Sequence, residues 1–303
     1  MNSQEEGDAE SRKGFFYALG AYGLWGLMPF YMKAVSHVPA YEVVAHRILW
    51  SVPIAGVILL LLGRTSDLKV AFRQPRTLAL AALTATLISI NWWIYIWAVS
   101  VDRTVETALG YYINPLVNIC LGALFLRERF TKPQTAAIGL AVIAVVILTV
   151  NAGGLPWISL TLAFSFGIYG FLRKTLPIGP TQGFMLEVLL LSLPALALLW
   201  LFGDGHFTND GLDGMLLLML AGPVTAFPLI LYAFGAKLLK YSTIGLMQYT
   251  APTLIFLIAV FVFKEPFSYW QFVAFCFIWA ALAIYSWSSF RTLRARPAAS
   301  AGE

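Results

Sequence analysis

Several side chains able to do chemistry sit inside long apolar stretches of this 303-residue chain. Asn91, Trp92, Tyr95 and Trp97 occupy one stretch, and Tyr111, Tyr112, Asn114 and Asn118 the next. Asn91 and Tyr95 are four residues apart, as are Asn114 and Asn118, so on a helix each pair shares a face. Tyr232, Gln248 and Tyr249 repeat part of this set later in the chain. Rings supply apolar area and a negative π-face for a cationic amine, and carboxamides both donate and accept hydrogen bonds. Such a wall suits non-covalent recognition of a small amphipathic molecule. The alternative is structural: Trp and Tyr anchor helices at a membrane boundary and Asn ties helix to helix. Trp97 lies near a boundary and fits either reading. The mid-depth positions of Asn91, Tyr95, Tyr112 and Asn114 favour cavity lining.

Ionisable groups in such stretches are expensive and mark function or pairing. Glu42 and His46 share a helical face, and Arg47 follows. Glu187 lies in a later stretch. A buried His or Glu can titrate near neutral pH, which makes His46 and Glu187 candidate proton carriers. Arg47 can hold a substrate carboxylate through two parallel hydrogen bonds. Against this stands a local ion pair of Glu42 with His46 or Arg47 that fixes packing, the reading preferred for Glu42. Pro115, Pro252, Pro223 and Pro228 interrupt the helical ladder and are candidates for bending, with simple kinking for packing as the other possibility. Glu128 and Glu265 sit at helix ends. Thr131 with Gln134, and Ser268 with Gln271, have capping-box spacing, so these residues are expected to build loops.

The elements that position these groups follow from composition. With 59% apolar and 12% charged residues, there are too few charges to coat a water-facing surface. Lipid is the expected solvent. A bilayer core of about 30 Å takes about 20 apolar residues in a helix. Runs of that kind cover 15–34, 41–63, 77–100, 104–126 and 133–151, then 155–173, 181–202, 214–236, 242–263 and 268–290. Open sheets and period-2 barrels are excluded by these long non-alternating runs, so the fold class is an all-α polytopic membrane protein. Of the 20 Lys and Arg residues, sixteen fall on the side of the termini, three (Lys33, Arg103, Lys264) on the other, and Arg47 within a span. The positive-inside rule then puts both termini in the cytoplasm. The scattered basic clusters do not form a nucleic-acid face. Cys120 and Cys276 lie in apolar runs without metal-ligand spacing, and no cofactor or metal is expected.

A shift of 137 residues superimposes 104–149 on 241–286 without a gap, pairing Tyr112 with Tyr249, Pro115 with Pro252, Arg127 with Lys264, Glu128 with Glu265, Ala137 with Ala274 and Ala144 with Ala281. A shift of 141 pairs His46 with Glu187. Five spans per half is an odd number, so the second half enters the membrane inverted: a 5+5 inverted repeat of ten transmembrane helices. The expected units are a cytoplasmic tail at 1–14, repeats at 15–151 and 155–290, and a cytoplasmic tail at 291–303.

This arrangement resembles the EamA type of the drug/metabolite transporter superfamily, through Tyr112, Pro115, Arg127 and Glu128 and their counterparts Tyr249, Pro252, Lys264 and Glu265. The opening Gly20, Tyr22, Trp25, Gly26, Pro29 and Tyr31, the run Ala45, His46, Arg47, and the block Asn91, Trp92, Tyr95, Trp97 look like its RarD branch, named for an association with chloramphenicol sensitivity. The resemblance implies the drug/metabolite transporter fold, a bacterial inner-membrane location, and a secondary transporter with a central cavity between the halves. Its implied cargo is small amphipathic metabolites such as amino acids, or drugs, with export the usual direction. Monomer and homodimer stay equally open, and the expected partners are a small molecule and the bilayer, not nucleic acid. The competing classes are a membrane-embedded enzyme using His46 and Glu187, and a non-transporting sensor or assembly subunit. The first lacks a His-Glu metal motif or serine nucleophile pattern, so the chain is not expected to be an enzyme, and the second lacks room for a docking domain.

Overall fold

The computed structural model describes residues 3–100, 104–151, 157–262, 264 and 268–294; Glu265 and the side chain of Gln271 lie outside what it describes. Every regular element among the described residues is helical: α1 (Ser3–Gly26), α2 (Met28–Ala34), α3 (Ala40–Leu61), α4 (Thr65–Phe72), α5 (Pro75–Ser100), α6 (Thr104–Phe125), α7 (Lys132–Asn151), α8 (Trp157–Thr175), α9 (Pro180–Phe202), α10 (His206–Asn209), α11 (Gly211–Leu238), α12 (Tyr241–Met247), α13 (Thr250–Leu257) and α14 (Tyr269–Arg294). A π-helical turn, Ile258–Val262, extends α13. Among the described residues, five stretches, in α3, α5, α7, α9 and α11, are long and apolar enough to cross a membrane. Outward faces are apolar too: Leu61, Leu193 and Trp200 are at least 76% exposed, which suits lipid rather than water.

Proline accompanies one helix break and is carried through several helices. Pro29 supplies no N–H, and the chain tightens one turn earlier, where the Leu27 N–H reaches both Gly23 and Leu24 carbonyls, separating α1 from α2. Pro53, Pro115, Pro194, Pro223 and Pro228 are instead carried inside continuous helices.

The helices pair in a mirrored pattern. α1 packs on α11 as α5 packs on α8, while α3 meets α9, α6 meets α12, and α7 meets α14. The α7–α14 contact is built on fully buried Ala137, Ala141 and Ala144 facing Ala274 and Ala281, small residues that let backbones approach. The repeat is visible in backbone strain as well. Among the described residues, the non-glycine positions with positive φ are Arg127 (52°) and Lys264 (59°), 137 residues apart. At the first, the Leu126 and Glu128 N–H groups both return to the Gly122 carbonyl, closing α6 with a left-handed cap of the kind glycine usually supplies.

Candidate functional site

α3 lies between α9 and α11 and carries Arg47 into the junction of α3, α5, α6 and α11. Close approach is possible because α11 presents Gly222, where a Cβ would come within 2.3 Å of the Trp50 carbonyl oxygen. The Ser51 hydroxyl caps this contact, donating to the Arg47 carbonyl (2.5 Å) and lying 3.3 Å from that of Gly222. The guanidinium of Arg47 is thereby fixed. Its Nε–H donates to Thr225 Oγ1 at 2.8 Å, and its central carbon lies 4.9 Å from the Trp92 ring centroid. Tyr31, Tyr95 and Tyr111 are its titratable neighbours, and the Tyr95 and Tyr111 rings are 5.9 Å apart. Arg47, Trp92, Tyr95 and Tyr111 remain partly exposed, whereas Thr225 is fully buried. No carboxylate pairs with this guanidinium among the described residues. The arrangement is a cation on a rigid mount, with free donors and aromatic walls.

The other predicted residues are differently employed. Asn91 donates to the Leu162 carbonyl and to Ser165 Oγ, both at 3.0 Å, tying α5 to α8. Asn114 donates to the Ala163 carbonyl at 2.6 Å, tying α6 to α8. Asn118 donates to Gln248 Oε1 (3.0 Å) and accepts from the Tyr241 hydroxyl (3.0 Å), and the Tyr249 hydroxyl donates to the Tyr112 carbonyl (3.0 Å). These links join α6 to α12 and its continuation at the centre of the molecule. Tyr232 is fully buried among Tyr22, Trp25 and Phe166. Pro115 and Pro252 sit on the two equivalent helices, and Pro223 and Pro228 flank Thr225 on α11. Trp97 is 38% exposed and lies 5.6 Å from Trp157, centroid to centroid.

Glu42 forms no ion pair with His46 or Arg47. It accepts the backbone N–H groups of Asp204 (3.3 Å) and His206 (3.1 Å), closing the loop before α10. His46 is buried and stacks on Phe207 at 5.1 Å. Glu187 is 2% exposed, 3.5 Å from Arg173 and accepting from the Tyr169 hydroxyl at 3.2 Å. His46 and Glu187 thus occupy separate surroundings. Glu128 accepts the N–H groups of Tyr241 (2.5 Å) and Ser242 (3.0 Å), a carboxylate at the N-terminus of α12, and Thr131 and Gln134 exchange the expected capping contacts. Outside the apolar helices, Asp210 binds both His206 (2.8 Å) and His37 (3.4 Å). Donation from the His206 Nδ1–H to the Asp210 carboxylate raises the His206 pKa above its ordinary value. Thr225 was not among the predicted site residues. Its signal is a hydroxyl between two prolines in an otherwise apolar helix.

Comparison with known proteins gives a consistent result. Residues 12–150 and 153–287 each match the EamA-like transporter family. Protein RarD of Streptomyces exfoliatus is 43% identical over 94% of this chain and 91% of its own length. Protein RarD of Escherichia coli strain K12 is 40% identical, covering 94% and 97%. An uncharacterized transporter of Pseudomonas aeruginosa is also 40% identical, covering 95% and 98%. A crystal structure 18% identical in sequence shares the fold, with a TM-score of 0.71 over 94% of this chain and 98% of the other.

Proposed function

Since the chain belongs to the EamA-like transporter family, in its RarD branch, and is a multi-pass membrane transporter, we propose that it is a secondary transporter working by alternating access. The proposed topology has ten spans. They are α1–α2, α3, α5, α6 and α7, then inverted α8, α9, α11, α12–α13 and α14, with both termini in the cytoplasm of a bacterial inner-membrane protein. The proposed repeats run 15–151 and 155–290, between tails at 1–14 and 291–303. Small amphipathic metabolites are the proposed cargo and export the proposed direction.

The observation that carries this reading is that the Arg47 site is shared: α3, α5 and α6 from the first half and α11 from the second each contribute a side chain to it. A rocking motion of one half against the other would open such a site to each side in turn. The α6–α12 ties through Asn118, Gln248, Tyr112 and Tyr249 would have to part for this. His46, buried at one end of α3, is the proposed proton-responsive group.

Purified protein in liposomes should exchange a labelled metabolite from a panel of organic acids, amino acids and aromatic amines. Failure to move any of them would count against transport. An imposed proton gradient should change the rate, and His46→Gln should weaken that response; an unchanged gradient dependence would remove His46 from the mechanism.

A further inference from the structure

We propose that the Arg47 site selects net-anionic carboxylates that carry a flat apolar body and no amino group. The inference rests on the transport reading and names the cargo of that same site.

A guanidinium at membrane depth is costly unless its charge and its donors are answered. Among the described residues, one donor of five is answered. Nε–H is held by Thr225, and one face lies against Trp92, which leaves both Nη groups without a protein acceptor among the described residues. Two parallel N–H donors at the end of a fixed guanidinium match the two oxygens of a carboxylate. Thr225 is fully buried, so the fork is aimed before any ligand arrives.

The sign of the charge follows from the surroundings. Arg47's titratable neighbours are the phenols of Tyr31, Tyr95 and Tyr111, and no described carboxylate faces it. Glu42, on the same helix, spends its oxygens on the 204–206 loop. Glu187 is committed to Arg173 and Tyr169. A monoanion therefore neutralises the site. A zwitterionic amino acid would bring an ammonium that finds no counter-charge among the described residues there. A cationic amine would meet Arg47 itself, because the guanidinium already occupies the Trp92 face that would otherwise attract it. The partly exposed rings of Tyr95 and Tyr111 offer a wall for an aromatic or alicyclic body.

Three probes with one body test this: 3-phenylpropionate, phenylalanine and phenethylamine. Each is measured for binding to detergent-purified protein and for counterflow in liposomes, against protein-free liposomes. The expected order is 3-phenylpropionate bound about tenfold or more tighter than phenylalanine, with phenethylamine not bound, the tenfold corresponding to about 1.4 kcal/mol. Arg47→Gln should abolish binding of 3-phenylpropionate, Arg47→Lys should keep part of it, and Thr225→Val should weaken it about threefold by releasing the fork. Thr225→Val also carries the test should Arg47→Gln fail to fold, which melting and gel filtration reveal. Equal or tighter binding of phenylalanine or phenethylamine, binding unchanged in Arg47→Gln, or no binding of any probe overturns the inference. Binding of 3-phenylpropionate without counterflow supports the site and counts against transport. Counterflow of phenethylamine that survives Arg47→Gln overturns the site and leaves transport standing.

Discussion

Two stretches aligned by the 137-residue shift, α6 and α12–α13, start from matching positions and end in different shapes. In the first half, α6 carries Pro115 without a break from Thr104 to Phe125. In the second, the equivalent stretch stops at Met247, resumes at Thr250 ahead of Pro252, and finishes in the π turn Ile258–Val262. Proline alone therefore does not set the geometry. The neighbours differ: Asn114 tethers α6 to α8, and at the position 137 residues later stands Ala251, whose side chain has no such bond to give. One half supplies a tethered post and the other a jointed arm. Glu128 holds the first turn of the jointed α12–α13 unit to the end of the post.

A similar asymmetry separates the two equivalent ionisable positions. Glu187 is answered by Arg173, whereas His46, its first-half counterpart, is stacked on Phe207. The largest effect is expected there. Arg173→Ala leaves a buried carboxylate without its cation and should destabilise the protein by about 3–5 kcal/mol, while the double change Arg173→Met with Glu187→Leu should recover most of that loss. Thermal melting in detergent reads both, and equal losses in the single and double variants would mean the pair is not what matters.

Next in size is the tether. Asn114→Ala removes a buried interhelical bond and should cost about 1–2 kcal/mol. The reciprocal Ala251→Asn should show no matching gain. The joint comes third. Pro252→Ala should slow counterflow several-fold with little change in melting, and Pro115→Ala should leave the rate close to the parent. The reverse ranking would make α6 the moving element.

The smallest effect lies in the loop over the N-terminal end of α3. Asp210 raises the His206 pKa, so their ion pair stabilises the loop in full below the unfolded-state value. That contribution is lost as pH rises through the raised folded value. Limited proteolysis within 203–213 should therefore quicken as pH rises above the ordinary histidine value of about 6.5, and Asp210→Asn should flatten the profile.

Much of this could be read before any coordinates. Apolar run lengths identify helices, and the 137-residue shift pairs Arg127 with Lys264 and the alanines of α7 with those of α14, though not the positive φ that the first pair shares. Arg47, Trp92 and Tyr95 were marked by polarity at membrane depth. What escaped depends on partners far away in sequence. Whether a proline is carried or breaks a helix turns on neighbouring helices, as Pro115 and Pro252 demonstrate. Asn91 and Asn114 have the same type and depth as cavity residues, and only the carbonyls of Leu162 and Ala163 distinguish a tie from a lining. Thr225 acquires a role solely because Arg47 crosses opposite it.

The most direct test of a site shared between halves and open to each side in turn is labelling of a single cysteine. In a background with Cys120→Ser and Cys276→Ser, Tyr95→Cys is treated with a membrane-impermeant thiol reagent in right-side-out and in inside-out vesicles. Modification in both preparations is the predicted result. Modification from one face alone, in transport-competent vesicles, would contradict it.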